Sequence, residues 1–326
     1  MLFILVFFSL FIYTLTKGEY SKNTKSELNS TSKKEVVLEK KTDVKKTEEK
    51  PVVEEHIVDT PLNEDQIIDY SLKSYKERLK ILHDPHFTLE DRIKIFLGPD
   101  SENIGLIYYN LETSENININ PNNIFMAASV YKVGLSMYTY YLANNGLISL
   151  DDVVYYIDID YEDGSGILQG EDYIGGRSVQ ELLDLSIIYS DNIAANMLWR
   201  HLGGYYNFKY GLYDLIEVEC DVVENVLTPD MEFRILKYIY DNKDDTNFSH
   251  LIETMKQTIS NDRIDKYLPS DKVAHKIGDY DGYSHDVGIV FADSPFILVV
   301  FTDCIENSYE KTAQISKAIY EYNTKK

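Results

Sequence analysis

Hydrophobic positions along this chain fall into three regimes. Residues 2–15 form an apolar run broken only by Ser9, Tyr13 and Thr14, and Lys17 follows it closely. From Lys17 to Val58 lysine, glutamate, serine, threonine and asparagine dominate, a composition that cannot bury enough surface to fold. Beyond Asn63 the apolar positions become periodic. Ile67, Ile68, Leu72, Tyr75, Leu79 and Leu82 recur at helical spacing and predict a first helix across residues 65–82. Thr88 caps a second, short helix that Gly98-Pro99 stops. Residues 105–111 and 116–120, joined through Thr113-Ser114-Glu115, predict a β-hairpin.

The middle of the chain is helical in pattern. Between Ser129 and Ala143 apolar and aromatic residues run almost all the way round a helix, which predicts a buried one, and Asn144-Asn145-Gly146 supplies its stop. Ser178 and Glu181 form a capping box that opens an apolar helix through Ile188. A second helix runs from Ile193 to His201, closed by Gly203-Gly204. Thr228-Pro229, a cap followed by proline at the first helical position, predicts a helix to about Tyr240, and another covers residues 249–259. Strand patterns return at 272–278, 287–291 and 296–301, with a turn at Asp281-Gly282. A last helix begins at Ser308 and shows Ile315, Ala318, Ile319 and Tyr322 on one face. Two strands, a helical middle, three strands and a final helix predict an α+β fold: a five-stranded antiparallel sheet flanked by helices, with an inserted all-helical subdomain.

Composition narrows the partners. A hydrophobic share of 44% in 326 residues suffices for a sizeable core, and a formal net charge of -22 argues against a nucleic-acid backbone as ligand. Cys220 and Cys304 are too few for a disulfide framework and make no zinc pattern, so no structural disulfide is expected. Residues 1–17 read as an uncleaved membrane anchor, with a cleaved signal as the alternative, residues 18–62 as a disordered charged linker and residues 63–326 as the folded domain. That arrangement places the domain on the extracellular face of the cytoplasmic membrane, or secreted.

Candidate chemistry begins at Ser129 and Lys132. Three residues apart at the start of a helix, they share a face, so a hydroxyl nucleophile stands beside a possible base. The helix N-terminus favours developing negative charge, and burial lowers the lysine pKa toward a usable base. Alone the pair is weak, since Ser-x-x-Lys arises about once by chance in a chain of this length. Ser190-Asp191-Asn192 sits at a junction of two buried helices, an expensive place for three polar side chains unless they serve a site; helix capping is the plainer reading. Asp158, Asp160, Glu162 and Asp163 precede Gly164-Ser165-Gly166 and suggest a calcium loop. The glycine falls one place late and Gln169 stands where a bidentate glutamate belongs, so a surface loop is expected. The same glycines fail the nucleophile-elbow spacing. His275 and His285 lack a third ligand, and no metal site is expected.

Taken together and in order, Ser129-x-x-Lys132, Ser190-Asp191-Asn192 and Lys276-Ile277-Gly278 resemble the motif set of the penicillin-recognising serine hydrolases. The class A β-lactamase family is most similar, through Ala127-Ala128-Ser129, the Gly164–Leu168 loop, the Asn192–Asn196 run, Gly203-Gly204, Thr228-Pro229 and His285-Asp286. The resemblance covers the chain from about Gly105 onward and implies the β-lactamase/transpeptidase-like fold. It implies that Ser129 attacks a β-lactam or a D-alanyl-D-alanine peptide to form an acyl-enzyme, with Lys132 as base or proton relay. Ser190 would bridge Lys132, Lys276 and the leaving nitrogen, Asn192 would bond the substrate amide, and Asp191 would be structural. Lys276 would hold the substrate carboxylate and help to keep Lys132 neutral. The oxyanion hole would be the backbone N–H of Ser129 with that of Asp279, the residue after Gly278. No cofactor is implied.

The chain departs from the family pattern in three places. Ile277 replaces the usual hydroxyl residue, and Val287 stands where many members carry an arginine, which leaves carboxylate recognition largely to Lys276. The glutamate that activates the deacylating water has no clear counterpart: Glu217, Glu219 and Glu224 are candidates that read more naturally as solvated carboxylates. Acylation is therefore better supported than turnover. The competing readings are a slow β-lactamase, a D,D-peptidase or transpeptidase acting on peptidoglycan, and a binding or sensor protein that stays acylated. A monomer is expected.

Overall fold

The computed structural model describes residues 61–219 and 224–324. The anchor segment, all but the last two residues of the linker, and Cys220 lie outside the described residues. Among those described, no helix is long and apolar enough to cross a membrane.

Two helices replace the single one expected over residues 65–82: α1 (Glu64–Ser71) and α2 (Tyr75–Leu82). Ser74 is the cause. Its side chain accepts from Glu77 N while the Glu77 carboxylate accepts from Ser74 N–H, so a new helix starts where the apolar spacing continues unbroken. Thr88 caps α3 (Leu89–Leu97), and Gly98 ends it with φ of +52°.

The hairpin follows as β1 (Ile104–Asn110) and β2 (Asn116–Ile119), then a two-residue strand β3 (Phe125–Met126) and the helix α4 (Tyr131–Asn144). The stretch read as a surface loop, residues 151–169, begins with β4 (Val153–Tyr155), which pairs with β5 (Gly176–Ser178) beyond its end. Next come α5 (Val179–Ile188), α6 (Asn192–His201), α7 (Tyr205–Leu215), β6 (Val226–Leu227), α8 (Pro229–Asp241) and α9 (Thr246–Met255). The chain closes with β7 (Val273–Tyr280), β8 (Tyr283–Val290), β9 (Phe296–Asp303) and α10 (Ser308–Thr324).

The sheet has five strands and is antiparallel throughout, as the sequence pattern predicts, and its strands run in the order β2-β1-β9-β8-β7. Both its faces are covered, which is why β9 reads as an unbroken apolar run. Leu298 and Val300 pack with α3 and α10, while Val299 and Phe301 pack with the helical subdomain. Strand β7 is an edge. Its open side meets the turn before α4, where a Cβ on Gly278 would lie 2.9 Å from Ser129 N, so only glycine permits the approach.

One buried group has a measurable cost. The Glu232 carboxyl on α8 is fully buried, neither oxygen has a hydrogen-bond partner among the described residues, and burial pushes its pKa up to about 8 against the opposing pull of Lys209. Between the unfolded glutamate value of about 4.3 and 8, the unfolded carboxyl is ionised and the folded one keeps its proton. Stability should therefore fall with rising pH over that window, by up to about 1.4 kcal/mol per unit from this group. Glu232→Gln should flatten the slope in urea titrations between pH 5 and 8. An unchanged slope would show that the carboxyl is ionised in the folded protein.

Candidate active site

The segment leading to Ser129 is fixed from three sides. Strands β3 and β6 pair, Ala127 N donates to Asn225 O at 2.8 Å, and the His285 ring donates from Nε2 to Met126 O at 2.7 Å. His285 Nδ1 accepts from Thr302 N, so the ring is neutral, and burial lowers its pKa to about 4. Ala128 then takes φ of +46°, uncommon for a residue with a side chain, and the Asn225 amide donates to its carbonyl at 3.1 Å. Ser129 lies in the single 3₁₀ turn that feeds α4.

Lys132 is in the first turn of α4 and fully buried. Its Nζ lies 2.6 Å from Ser190 O, 2.7 Å from Asn192 Oδ1, 3.1 Å from Ser129 Oγ and 3.3 Å from Ser190 Oγ. Burial lowers its pKa to about 7, with Glu162 and Asp191 pulling the other way. A neutral amine has two hydrogens and one lone pair. The carbonyl of Ser190 and the amide oxygen of Asn192 can only accept, so they take the two hydrogens and leave the lone pair for the Ser129 hydroxyl.

Ser190, with φ of +53°, places its hydroxyl between the two lysines, 3.0 Å from Lys276 Nζ. Lys276 also donates to Ile277 O at 2.8 Å. Burial first, and then Lys132, hold Lys276 well below the ordinary lysine range. At Lys132 desolvation is the leading cause.

Asp191 is wholly buried. Its Oδ1 caps α6 by accepting from Ala194 N, and its Oδ2 accepts from Ile167 N at 2.7 Å and Leu168 N at 2.9 Å. A Cβ on Gly166 would fall 2.3 Å from that carboxylate, and φ there is +123°, which accounts for the second glycine of the loop. Three residues four apart on α6 continue the attachment. Asn192 donates to Asp163 O, Asn196 to Asp160 O and the Glu162 carboxylate, and Arg200 grips the Asp160 carboxylate with two bonds of 2.8 Å and donates to Tyr155 O. The surface loop is thus held to α6 along its length. Because Asn192 Nδ2 is taken by Asp163 O, its oxygen turns to Lys132.

A cavity of about 220 Å³ collects Ser129, Ser190, Lys276, Gly278 and Asp279. The Asp279 carboxylate is held by the buried Arg263 guanidinium and by Tyr309 OH at 2.9 Å. Thr258 and Ser260 also line the cavity, hydroxyls that sequence reasoning missed beside the apolar Ile277. They lie in the turn after α9, where no motif marks them. Arg263 was missed too; its only sequence signal is an isolated basic residue between aspartates. Glu217, Glu219 and Glu224 are exposed, and among the described residues none of them bonds to Ser129 or Lys132. No group of metal-ligating side chains occurs among the described residues. His275 lies between Asp286, at 2.9 Å, and Asp265, at 3.7 Å, and His285 is occupied as described.

An antiparallel sheet whose edge strand meets a helix-start serine, with a helical subdomain closing the other wall, defines the β-lactamase/transpeptidase fold of serine hydrolases. The chain belongs to the beta-lactamase enzyme family, whose model matches residues 88–323. A β-lactamase of Bacillus subtilis (strain 168) is 31% identical over 109 residues, 33% of this chain and 35% of that relative, so the match spans about a third of its length. A PBP-A mutant solved as an acyl-enzyme complex with penicillin G superposes with a TM-score of 0.63 at 21% identity, over 68% of this chain and 90% of that one. A β-lactamase from Sphaerobacter thermophilus gives 0.60 at 20% identity, over 68% and 91%. At these identities the solved structures speak for the fold alone.

Proposed function

We propose that this protein is a serine acyl-transfer hydrolase of the class A β-lactamase type, in which Ser129 opens a β-lactam ring and the acyl-enzyme is released slowly. The observation that carries the reading is the oxygen set around Lys132. It leaves a neutral amine with its lone pair for Ser129, so proton removal and carbonyl attack can occur together. The proton passes from Ser129 to Lys132 and is returned to the leaving nitrogen through Ser190, which touches both lysines. A substrate carboxylate near Lys276 would offset the burial cost of its ammonium and draw that lysine into its charged form. The backbone N–H groups of Ser129 and Asp279 are assigned to the developing oxyanion. The acyl-enzyme seen in the PBP-A neighbour supports β-lactams as substrates, and the apolar segment at residues 2–15 supports a tether that holds the domain outside the membrane, facing peptidoglycan.

Incubation of the full chain with penicillin G, followed by intact-mass measurement, should show one adduct of the drug's mass that is lost in Ser129→Ala. An adduct that decays with release of penicilloate supports the hydrolase, and one that persists supports the sensor. Release of D-alanine from a stem-peptide mimic supports the D,D-peptidase. Absence of any adduct, together with no turnover, would refute acyl transfer at Ser129.

A further inference from the structure

A cavity of about 620 Å³ opens between the start of α3, strand β2 and the end of α10. That volume lies in the range of small-molecule sites. Phe87, Leu89 and Ile117 give it apolar walls, and the last two belong to the core that packs Leu298 and Val300. Ala127 and Val130, which flank Ser129, lie in the core on the other face of the sheet, and the two cavities share no lining residue.

One polar group in the wall stands out. Arg92 is 7% exposed, and its Nε has no hydrogen-bond partner among the described residues. Its guanidinium carbon lies over the Tyr322 ring, 5.8 Å from the centroid. Burial lowers its pKa from the ordinary arginine value, with Tyr322, Asp84 and Glu321 pulling the other way. Buried charges are ordinarily paired. Here the carboxylates of the wall are engaged elsewhere: Glu90 pairs with Lys94 at 2.6 Å, Glu321 meets His83 Nδ1 at 3.1 Å, and Glu115 accepts from Tyr322 OH at 2.8 Å. The fold thus keeps a charged fork at the cavity where an apolar side chain would cost less.

Charge and shape select the ligand. A planar guanidinium meets a carboxylate through two parallel bonds. Glu90, Glu115 and Glu321 surround it and repel a second negative charge, which disfavours a phosphate dianion. The apolar walls favour an apolar body on the anion.

We propose that this cavity binds a small organic monocarboxylate, whose carboxylate pairs with Arg92 and whose apolar body lies against Phe87 and Ile117. The site is additional to the one at Ser129 and requires no acyl transfer.

The test uses 4-phenylbutyrate, the neutral 4-phenylbutyramide and inorganic phosphate on the full chain, read by saturation-transfer NMR. The carboxylate should bind saturably at millimolar concentration, at least about tenfold more tightly than the amide, and phosphate should not displace it. Arg92→Met should lose about the same factor, with a urea midpoint equal to or above that of wild type, because a buried unpaired charge has been removed. Pro85→Trp, on the exposed rim, should block the mouth and weaken binding without loss of stability. Lys276→Ala removes the cation of the Ser129 cavity and should leave binding unchanged. Equal binding of the amide, no binding of the carboxylate, displacement by phosphate, or binding that survives Arg92→Met would overturn the site. So would loss of binding in Lys276→Ala, which would put the anion beside Ser129. Should Arg92→Met fail to fold, Pro85→Trp decides: undiminished binding in that variant rejects the cavity.

Discussion

Lys132→Met should slow penicillin acylation of Ser129 by a factor of about 10² to 10⁴, the range that general-base catalysis supplies. Methionine fills the buried volume without a charge or a donor, so loss of packing is minimised. The wild-type rate should follow the fraction of neutral amine. With the Lys132 pKa lowered to about 7, the rate should fall tenfold per unit on the acid side of that value and level off above it. Glu162 and Asp191 both favour the charged amine, so Glu162→Gln should move the break toward lower pH. Stopped-flow acylation between pH 5.5 and 8.5 reads both effects. A rate within threefold of wild type in Lys132→Met, or a flat wild-type profile, would assign the proton transfer to another group.

The second large effect concerns stability. Asp191→Ala should destabilise the domain by about 3–5 kcal/mol, because it strands the N–H groups of Ile167, Leu168 and Ala194, each of which costs about 1–3 kcal/mol when buried without an acceptor. Asparagine distinguishes two roles. As a helix cap it matches aspartate, yet here both carboxylate oxygens accept, and an amide nitrogen would confront an N–H. Asp191→Asn should therefore lose more than half as much as alanine in urea unfolding. Full stability in the asparagine variant would reduce Asp191 to a cap.

The sheet and the helix caps were legible because each depends on local signals: the short apolar run of β1 bounded by turn residues, and the capping residues Ser178 and Thr228. Ser129, Lys132, Ser190 and Lys276 were legible as residue types in order, although their convergence needs the fold. Helix α7 was not. Its aromatic residues are ordinary helix formers at best, and Gly211 argues for a break. The glycine is there because a Cβ would meet the Tyr138 hydroxyl at 2.0 Å, a packing demand no sequence pattern displays. The attachments of α6 escaped for a related reason. Asn192, Asn196 and Arg200 at a spacing of four look like a solvated helix face, and their partners are mostly backbone carbonyls and carboxylates of a loop some thirty to forty residues earlier.

That row of attachments makes chain length itself a functional parameter. Surface loops ordinarily tolerate an added residue at small cost. Between Tyr155 and Asp163 an insertion would throw the loop out of step with the helix, and the released Asn192 amide could rotate its nitrogen toward Lys132. The base would then meet a donor where it now meets an acceptor. A change at the rim, far from the nucleophile in sequence, would thus disarm Ser129 without replacing a single residue that touches it.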